Sequence, residues 1–334
     1  MTTKKALRST APTKRSPAKK AERPSLGPIG EIPISGAPRA HPALGLGLWG
    51  IGRWGPADEA RTKATVERAW ALGLRWFDTA EVYGNGRSER VLGEVLLHAS
   101  PTGPAPYIVT KVSWEHLRPS QVRAALINSL ERLARRSVDL YLVHAPDPHV
   151  PLAETMGALE ALVRDGKVGA IGVSNFSVEE LEEAARHLTS TRIVVNQVHY
   201  NLLNREEGEA VREYCRAHDI LIEAYTPLAR GLLHGRYLDG GRIPSEVRRY
   251  AHRLFEPDWL EALLERGRAL RRLAQEANVP LASIALHWLA ERGAAPVAGM
   301  SRPEQVEENL RAWSVRPPAR VLAEADRIAR GERA

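Results

Sequence analysis

Four side chains in the first half of the chain, Asp78, Tyr83, Lys111 and His144, have the types that together move a proton. A phenol with an ordinary pKa near ~10 shares its proton reluctantly at neutral pH. An ammonium beside it favours the phenolate, and a carboxylate beside the ammonium keeps that cation charged and in place. An imidazole can hydrogen-bond a carbonyl oxygen and turn it toward the phenol. The set contains no nucleophile: Cys215 falls inside an expected helix, and no Gly-x-Ser-x-Gly elbow occurs. No metal site is expected either, since Pro146 and Pro148 separate His144 from His149 without a spacing that makes them converge. The proton transfer therefore has to accompany a step that a cofactor supplies.

The elements that must position these residues repeat one pattern. Leu74 to Phe77 reads as a buried strand that stops on Asp78, and the turn Gly84-Asn85-Gly86 presents Tyr83 beside it. Ser88 is expected to N-cap a helix over about 89–97. Later apolar strands also end on an out-of-pattern polar residue: 107–110 on Lys111, 140–143 on His144, and the next three on Ser174-Asn175, Gln197 and Tyr225. The last short strand, 295–298, ends at Gly299. Taken singly, each has a bland explanation, since a Lys after an apolar strand is usually a solvated end. Their coincidence is harder to obtain by chance.

From Leu44 onward the chain alternates eight continuous apolar strands with helices, as expected when both faces of a parallel sheet are covered. That count predicts a closed (β/α)8 TIM barrel over residues 29–334, preceded by a β-hairpin over 32–44. A doubly wound open sheet is the alternative. Gly45-x-Gly47-x-x-Gly50 has the dinucleotide-binding spacing, but Leu46 and Leu48 continue a strand with no helix start behind them. In a barrel the strand ends all meet on one rim, where activity resides.

Charge and composition narrow the function classes. The formal net charge is +7. Lys4, Lys5, Arg8, Lys14, Arg15, Lys19, Lys20 and Arg23, set against Glu22, account for all of it, so the rest of the chain is formally neutral. Residues 1–28 are expected to be a disordered basic tail, because they cannot bury enough apolar surface to offset ordering entropy. Without interleaved aromatics to stack on bases, a nucleic-acid partner is not expected. One cysteine, no secretory h-region and no long apolar run lead to the expectation of a cytoplasmic protein with no membrane partner.

Seven motifs, in order, make residues 30 to 330 resemble the aldo-keto reductase family. They are Phe77-Asp78-Thr79-Ala80-Glu81-x-Tyr83-Gly84-x-Gly86-x-Ser88-Glu89, Thr110-Lys111-Val112, and Asp139-Leu140-Tyr141-Leu142-Val143-His144. Gly172-Val173-Ser174-Asn175-Phe176, Asn196-Gln197-Val198-x-Tyr200-Asn201 and Ala224-Tyr225-x-Pro227-Leu228 follow. The last is Gly299 with Pro303-Glu304-Gln305-Val306-Glu307-Glu308-Asn309.

The resemblance implies hydride exchange between a nicotinamide cofactor and a small carbonyl compound. It makes Tyr83 the acid, Lys111 and Asp78 its tuners, and His144 the orienting donor. Ser174, Asn175 and Gln197 would hold the carboxamide, and Tyr225 would stack on the nicotinamide ring. Pro227, Leu228 and Gly231 would lie in the loop over the pyrophosphate. Gly299, Ser301, Arg302, Gln305, Glu308 and Asn309 would hold the adenosine end.

The chain departs from the family at two places. Ala145 stands where many relatives carry Trp, which implies a wider pocket. Ser301 stands where many carry a basic residue for the 2′-phosphate, with Arg302 displaced by one. NADP(H) is the expected cofactor, with NAD(H) as the alternative. Trp49, Trp54 and Trp114 are candidate pocket walls, with ordinary packing as the equal alternative for the first two. Glu223 shares a strand face with Tyr225 and stays open between a structural acid and a site residue. A cofactor-binding regulatory or redox-sensing subunit is the competing function. It would keep the cofactor residues without needing the complete proton-transfer set, which is intact here.

Overall fold

The computed structural model describes residues 29–49, 56–99, 103–240, 243 and 257–332. The expected tail, Trp54 and much of the long segment before Asp258 lie outside them. Ten strands are described: β1 (Glu31–Ile32), β2 (His41–Pro42), β3 (Gly45–Gly47), β4 (Trp76–Asp78), β5 (Tyr107–Val112), β6 (Val138–Val143), β7 (Val168–Ser174), β8 (Ile193–His199), β9 (Leu221–Tyr225) and β10 (Ala294–Gly299). Strands β3 to β10 form a closed parallel barrel in sequence order, β10 pairing with β3. The chain is a (β/α)8 barrel. The helices are α1 (Pro56–Ala71), α2 (Arg87–His98), α3 (Pro119–Leu133), α4 (Leu152–Arg164), α5 (Val178–Arg186), α6 (Glu206–Ala217), α7 (Pro257–Glu276), α8 (Leu281–Glu291), α9 (Pro303–Ser314) and α10 (Ala319–Arg330). None of the described helices is long and apolar enough to cross a membrane.

The period of two along each strand sorts residues between two cores. Phe77, Ile108, Tyr141 and Val173 join a large cluster that includes the inward faces of the helices. Trp76, Tyr107, Val109, Leu140, Leu142, Val195 and Val297 form a separate cluster inside the barrel. Gly45 is needed there, because a Cβ on it would lie 2.4 Å from Trp76 Cδ2. The strand that carries Trp76 inward carries Asp78 inward too, one step nearer the rim.

Strands β1 and β2 make the expected antiparallel hairpin. Its Ile34 belongs to the barrel-interior cluster, and its His41 ring meets Trp76 and Tyr107 edge-on at 4.2 and 4.8 Å. Arg39 ties it to the wall by donating to the carbonyls of Ala105 and Pro106, both at 3.0 Å, while pairing with Asp139. The hairpin thus plugs one end of the barrel, leaving the rim formed by the strands' C-terminal ends for chemistry.

One local expectation needs correction. Ser88 does not cap α2: Gly86, at φ 78, makes the turn, and Ser88 lies buried inside the first turn against Thr79 Oγ1 at 2.7 Å. A left-handed Gly supplies the entry geometry at little steric cost, freeing Ser88 to brace the strand end. The loop after β9 carries short 3₁₀ turns within Ala229–His234, interrupted at Arg230 and Gly231, and buries Ala229, Leu232 and Leu233. Ser177 does cap α5, in a reciprocal box with Glu180.

Candidate active site

Asp78, Tyr83, Lys111 and His144 come together at the C-terminal rim. Lys111 sits on a barrel-facing position of β5 and is fully buried (0%). Its Nζ donates to Asp78 Oδ1 and Oδ2 at 2.7 and 2.8 Å and to the Thr79 carbonyl at 2.9 Å. The Tyr83 hydroxyl lies 3.4 Å from the same nitrogen, and its ring centroid 5.0 Å. Burial, the largest single influence, works against the ammonium, but the Asp78 charge and hydrogen bond, with Tyr83 and Glu223, together outweigh it and hold Lys111 above the usual range. Burial also lifts the Asp78 carboxyl, with Lys111 opposing. Both Asp78 oxygens accept from Nζ, and Oδ2 also accepts from Gln197 Nε2 at 2.9 Å, so neither oxygen has an acceptor for a proton of its own. That geometry is an ion pair.

The turn carrying Tyr83 is braced from behind. Glu89, buried at the start of α2, accepts from Thr110 Oγ1 at 2.6 Å and from Arg132 Nε at 2.6 Å. Glu81 Oε1 accepts from the Ser113 amide at 2.5 Å, fixing the turn to the end of β5.

His144 follows β6 and meets Tyr83 edge-on at 5.6 Å. Burial, with the Lys111 charge, lowers its pKa to about 3, so the ring is neutral at physiological pH. Its Nδ1 is buried with no protein partner. Between an unfolded value of 6.5 and a folded value of about 3, the unfolded chain binds the extra proton, so stability falls as pH falls. We expect acidification from about pH 7.5 to 4.5 to cost wild type on the order of 2 kcal/mol more than His144→Phe, at ~1.4 kcal/mol per pH unit. Urea unfolding of both at the two pH values measures this, and equal losses would contradict a buried neutral imidazole.

A second group lies beside the first. Ser174 Oγ donates to the Gln197 carbonyl at 2.8 Å. Asn175 Nδ2 donates to the His144 carbonyl and Ser174 Oγ, both at 3.0 Å, and Tyr225 Oη donates to Asn175 Oδ1 at 3.0 Å. Asn175 holds φ 62, a left-handed geometry that Asn tolerates better than most residues. The Tyr225 ring stacks on His199 at 5.3 Å, 11° from parallel. Sequence reading did not single out His199. In an apolar strand followed by Tyr200 and Asn201 it carried no separate signal.

Around Pro227, the backbone is left-handed at Thr226 before it and at Ala229, Arg230 and Gly231 after it, with Leu228 buried beneath. Non-glycine residues so placed cost about 1–3 kcal/mol each, and such strain concentrates at ligand clamps. The Arg230 guanidinium lies 4.7 Å over the Trp49 ring, joining this segment to the end of β3. On the far side, Gly299 ends β10 and Arg302 immediately precedes α9. Gln305 Oε1 accepts from the Ser301 amide at 2.7 Å and its hydroxyl at 3.2 Å, whereas Arg302 is exposed. Asn309 Oδ1 meets His234 at 2.7 Å, and Arg236 reaches Glu308 at 3.5 Å. These contacts connect the strained segment to α9, which the sequence did not foretell. Trp114, 45% exposed, faces His144 edge-on at 5.8 Å from a short 3₁₀ turn.

The arrangement suits an elongated, partly anionic ligand. A flat aromatic lies at the rim, polar side chains fix one end, and the start of α9, with its positive dipole end and Arg302, suits a phosphate. Among the described residues, no three His, Cys, Asp or Glu side chains group to hold a metal ion.

A family model described as the Aldo/keto reductase family matches residues 43–330. An oxidoreductase of Mycobacterium tuberculosis strain H37Rv is 34% identical over 278 residues, spanning 81% of this chain and 84% of its own. The solved glycerol dehydrogenase of Gluconobacter oxydans has a TM-score of 0.81 at 26% identity, with 93% of this chain and 97% of that one covered. An aldo-keto reductase from Klebsiella pneumoniae, solved in complex with NADPH, gives 0.73 at 26% identity over 91% and 96%. The rim-centred barrel is therefore that of an oxidoreductase, and the chain belongs to the aldo/keto reductase family.

Proposed function

We propose that this protein reduces small aldehydes or ketones to alcohols with NADPH, through Tyr83 as general acid. The supporting observation is the buried Lys111 ammonium, bonded to both Asp78 oxygens and 3.4 Å from the Tyr83 hydroxyl. Bound at this rim, the nicotinamide supplies a hydride to the carbonyl carbon. As charge develops on the substrate oxygen, Tyr83 delivers its proton, and the adjacent ammonium stabilises the phenolate left behind. Asp78 keeps that ammonium charged and still. Neutral His144, edge-on to Tyr83, hydrogen-bonds the substrate oxygen through a ring N–H and turns it toward the phenol.

Ser174, Asn175 and Gln197 hold the carboxamide, and Tyr225, backed by His199, offers its face to the ring. The strained segment from Pro227 to Gly231 covers the pyrophosphate. Arg302, exposed beside the start of α9, favours a 2′-phosphate and hence NADP(H) over NAD(H). Glu308 and Asn309 flank the adenine. The K. pneumoniae neighbour's NADPH complex supports the same choice. Trp49 and Trp114 wall the substrate side, and small Ala145 leaves it wide.

The test offers aromatic, aliphatic and sugar aldehydes with NADPH and with NADH, following cofactor absorbance and alcohol formation. Oxidation of NADPH matched by alcohol is the expected result. Tight nucleotide binding without turnover of any of these carbonyls would replace the reductase reading with a cofactor-binding regulatory role.

A further inference from the structure

Inside the barrel, beneath the rim, lies a buried polar chain that the proposed chemistry does not use. Glu223, on β9 two residues before Tyr225, is fully buried, as is His41 of the plugging hairpin. His41 Nε2 lies 2.8 Å from Glu223 Oε1, and His41 Nδ1 lies 2.8 Å from the Pro42 carbonyl. Gln197 Nε2 donates to Glu223 Oε2 at 2.5 Å and to Asp78 Oδ2 at 2.9 Å.

Hydrogen-bond bookkeeping gives this chain a direction. A carbonyl only accepts, so His41 Nδ1 carries a proton. One further proton lies between His41 Nε2 and Glu223 Oε1, whichever atom owns it. In both cases Oε2, the oxygen facing Gln197, remains an acceptor. Gln197 therefore meets two acceptors, Oε2 of Glu223 and Oδ2 of Asp78, and both its N–H bonds are committed to them. A planar amide so held turns its carbonyl oxygen away from both carboxylates and cannot flip.

We propose that Glu223, with its proton placed by His41, is a positioning residue that fixes Gln197 to present an acceptor to the nicotinamide carboxamide. The group selected there is an N–H donor, so the site distinguishes a carboxamide from a ketone of the same shape. This assignment rests on the reductase reading for the identity of the nucleotide, and its test reads binding rather than turnover.

The probes are NADPH and its 3-acetylpyridine analogue, which keeps the carbonyl oxygen and replaces the amide NH2 with a methyl. Calorimetric titration of wild type is expected to show NADPH tighter by about tenfold or more, the cost of leaving a fixed acceptor unmet. Glu223→Leu should bring the two dissociation constants within about threefold, mainly by weakening NADPH. Glu223→Gln should restore the preference, since its amide can donate to His41 Nε2 while its oxygen accepts from Gln197. A purely structural role predicts no such rescue. His41→Phe, which retains an edge-on ring against Trp76 and Tyr107 but no longer holds the Glu223 proton on the Oε1 side, should narrow the preference without abolishing it and serves if Glu223→Leu does not fold. No preference in wild type, an undiminished preference in Glu223→Leu or His41→Phe, or equal loss in Glu223→Gln would each overturn the proposal. A wild type that discriminates between the nucleotides yet reduces no carbonyl would leave this assignment standing and remove the reductase reading.

Discussion

Tyr83→Phe should lower kcat/KM for aldehyde reduction by about three orders of magnitude while changing the NADPH dissociation constant by less than about threefold. The substitution removes one hydroxyl and little else. The ring keeps its edge contact with His144 at 5.6 Å and its place 5.0 Å from the Lys111 ammonium, so the turn at Gly84-Asn85-Gly86 has no reason to move. A positioned general acid is worth about 10² to 10⁴ in rate. A loss of 10³ corresponds to about 4 kcal/mol of transition-state stabilisation.

The same group must take the proton back in alcohol oxidation, so both directions should fall together. Steady-state kinetics in each direction, with fluorescence titration of NADPH, provide the check. Retention of more than a tenth of wild-type activity would mean that the proton comes from elsewhere. His144, neutral at physiological pH, would then be the next donor to remove.

The rim residues were legible because each interrupts an apolar strand. Lys111 after Tyr107-Ile108-Val109-Thr110 cannot be explained as barrel core, so its type alone marks it. The barrel was legible for the same reason, since eight continuous apolar runs separated by helices leave few topologies. The pairing of His41 with Glu223 was not legible. The partners are 182 residues apart, and nothing local tells a buried imidazole in a hairpin from an exposed one. Glu223 was visible as an anomaly without a partner, which is all that a single strand can convey.

Local competition accounts for the other gaps. Ser88 has the type and place of an N-cap, and only the buried Thr79 hydroxyl opposite reveals a different bond. The segment after β9 has Leu228, Leu232 and Leu233 at no regular period, because left-handed residues between them break any helical repeat. The bonds from His234 to Asn309 and from Arg236 to Glu308 bring that segment to α9, and only the folded barrel makes them neighbours.

Lys111→Met carries the second large effect, and it falls on stability as well as rate. Met nearly matches the length of Lys but removes Nζ, and with it the contacts to both Asp78 oxygens, the Thr79 carbonyl and the Tyr83 hydroxyl. An ionised Asp78 left in the barrel without its cation costs roughly 3–5 kcal/mol. Burial already lifts the Asp78 carboxyl, and the loss of Lys111 removes the main influence opposing it. A carboxyl raised in the folded state is tolerated at low pH and penalised as pH rises through its folded value. The variant should therefore lose more stability relative to wild type at about pH 8 than at about pH 5, the reverse of ordinary acid denaturation. Adding Asp78→Asn should recover most of that stability and flatten its pH dependence, because a neutral amide needs no counter-charge. It should not recover catalysis, since the phenolate of Tyr83 would still lack its ammonium. Urea unfolding at both pH values and aldehyde kinetics on the two variants separate these effects. A double variant that regains turnover along with stability would show that Lys111 serves only to neutralise Asp78.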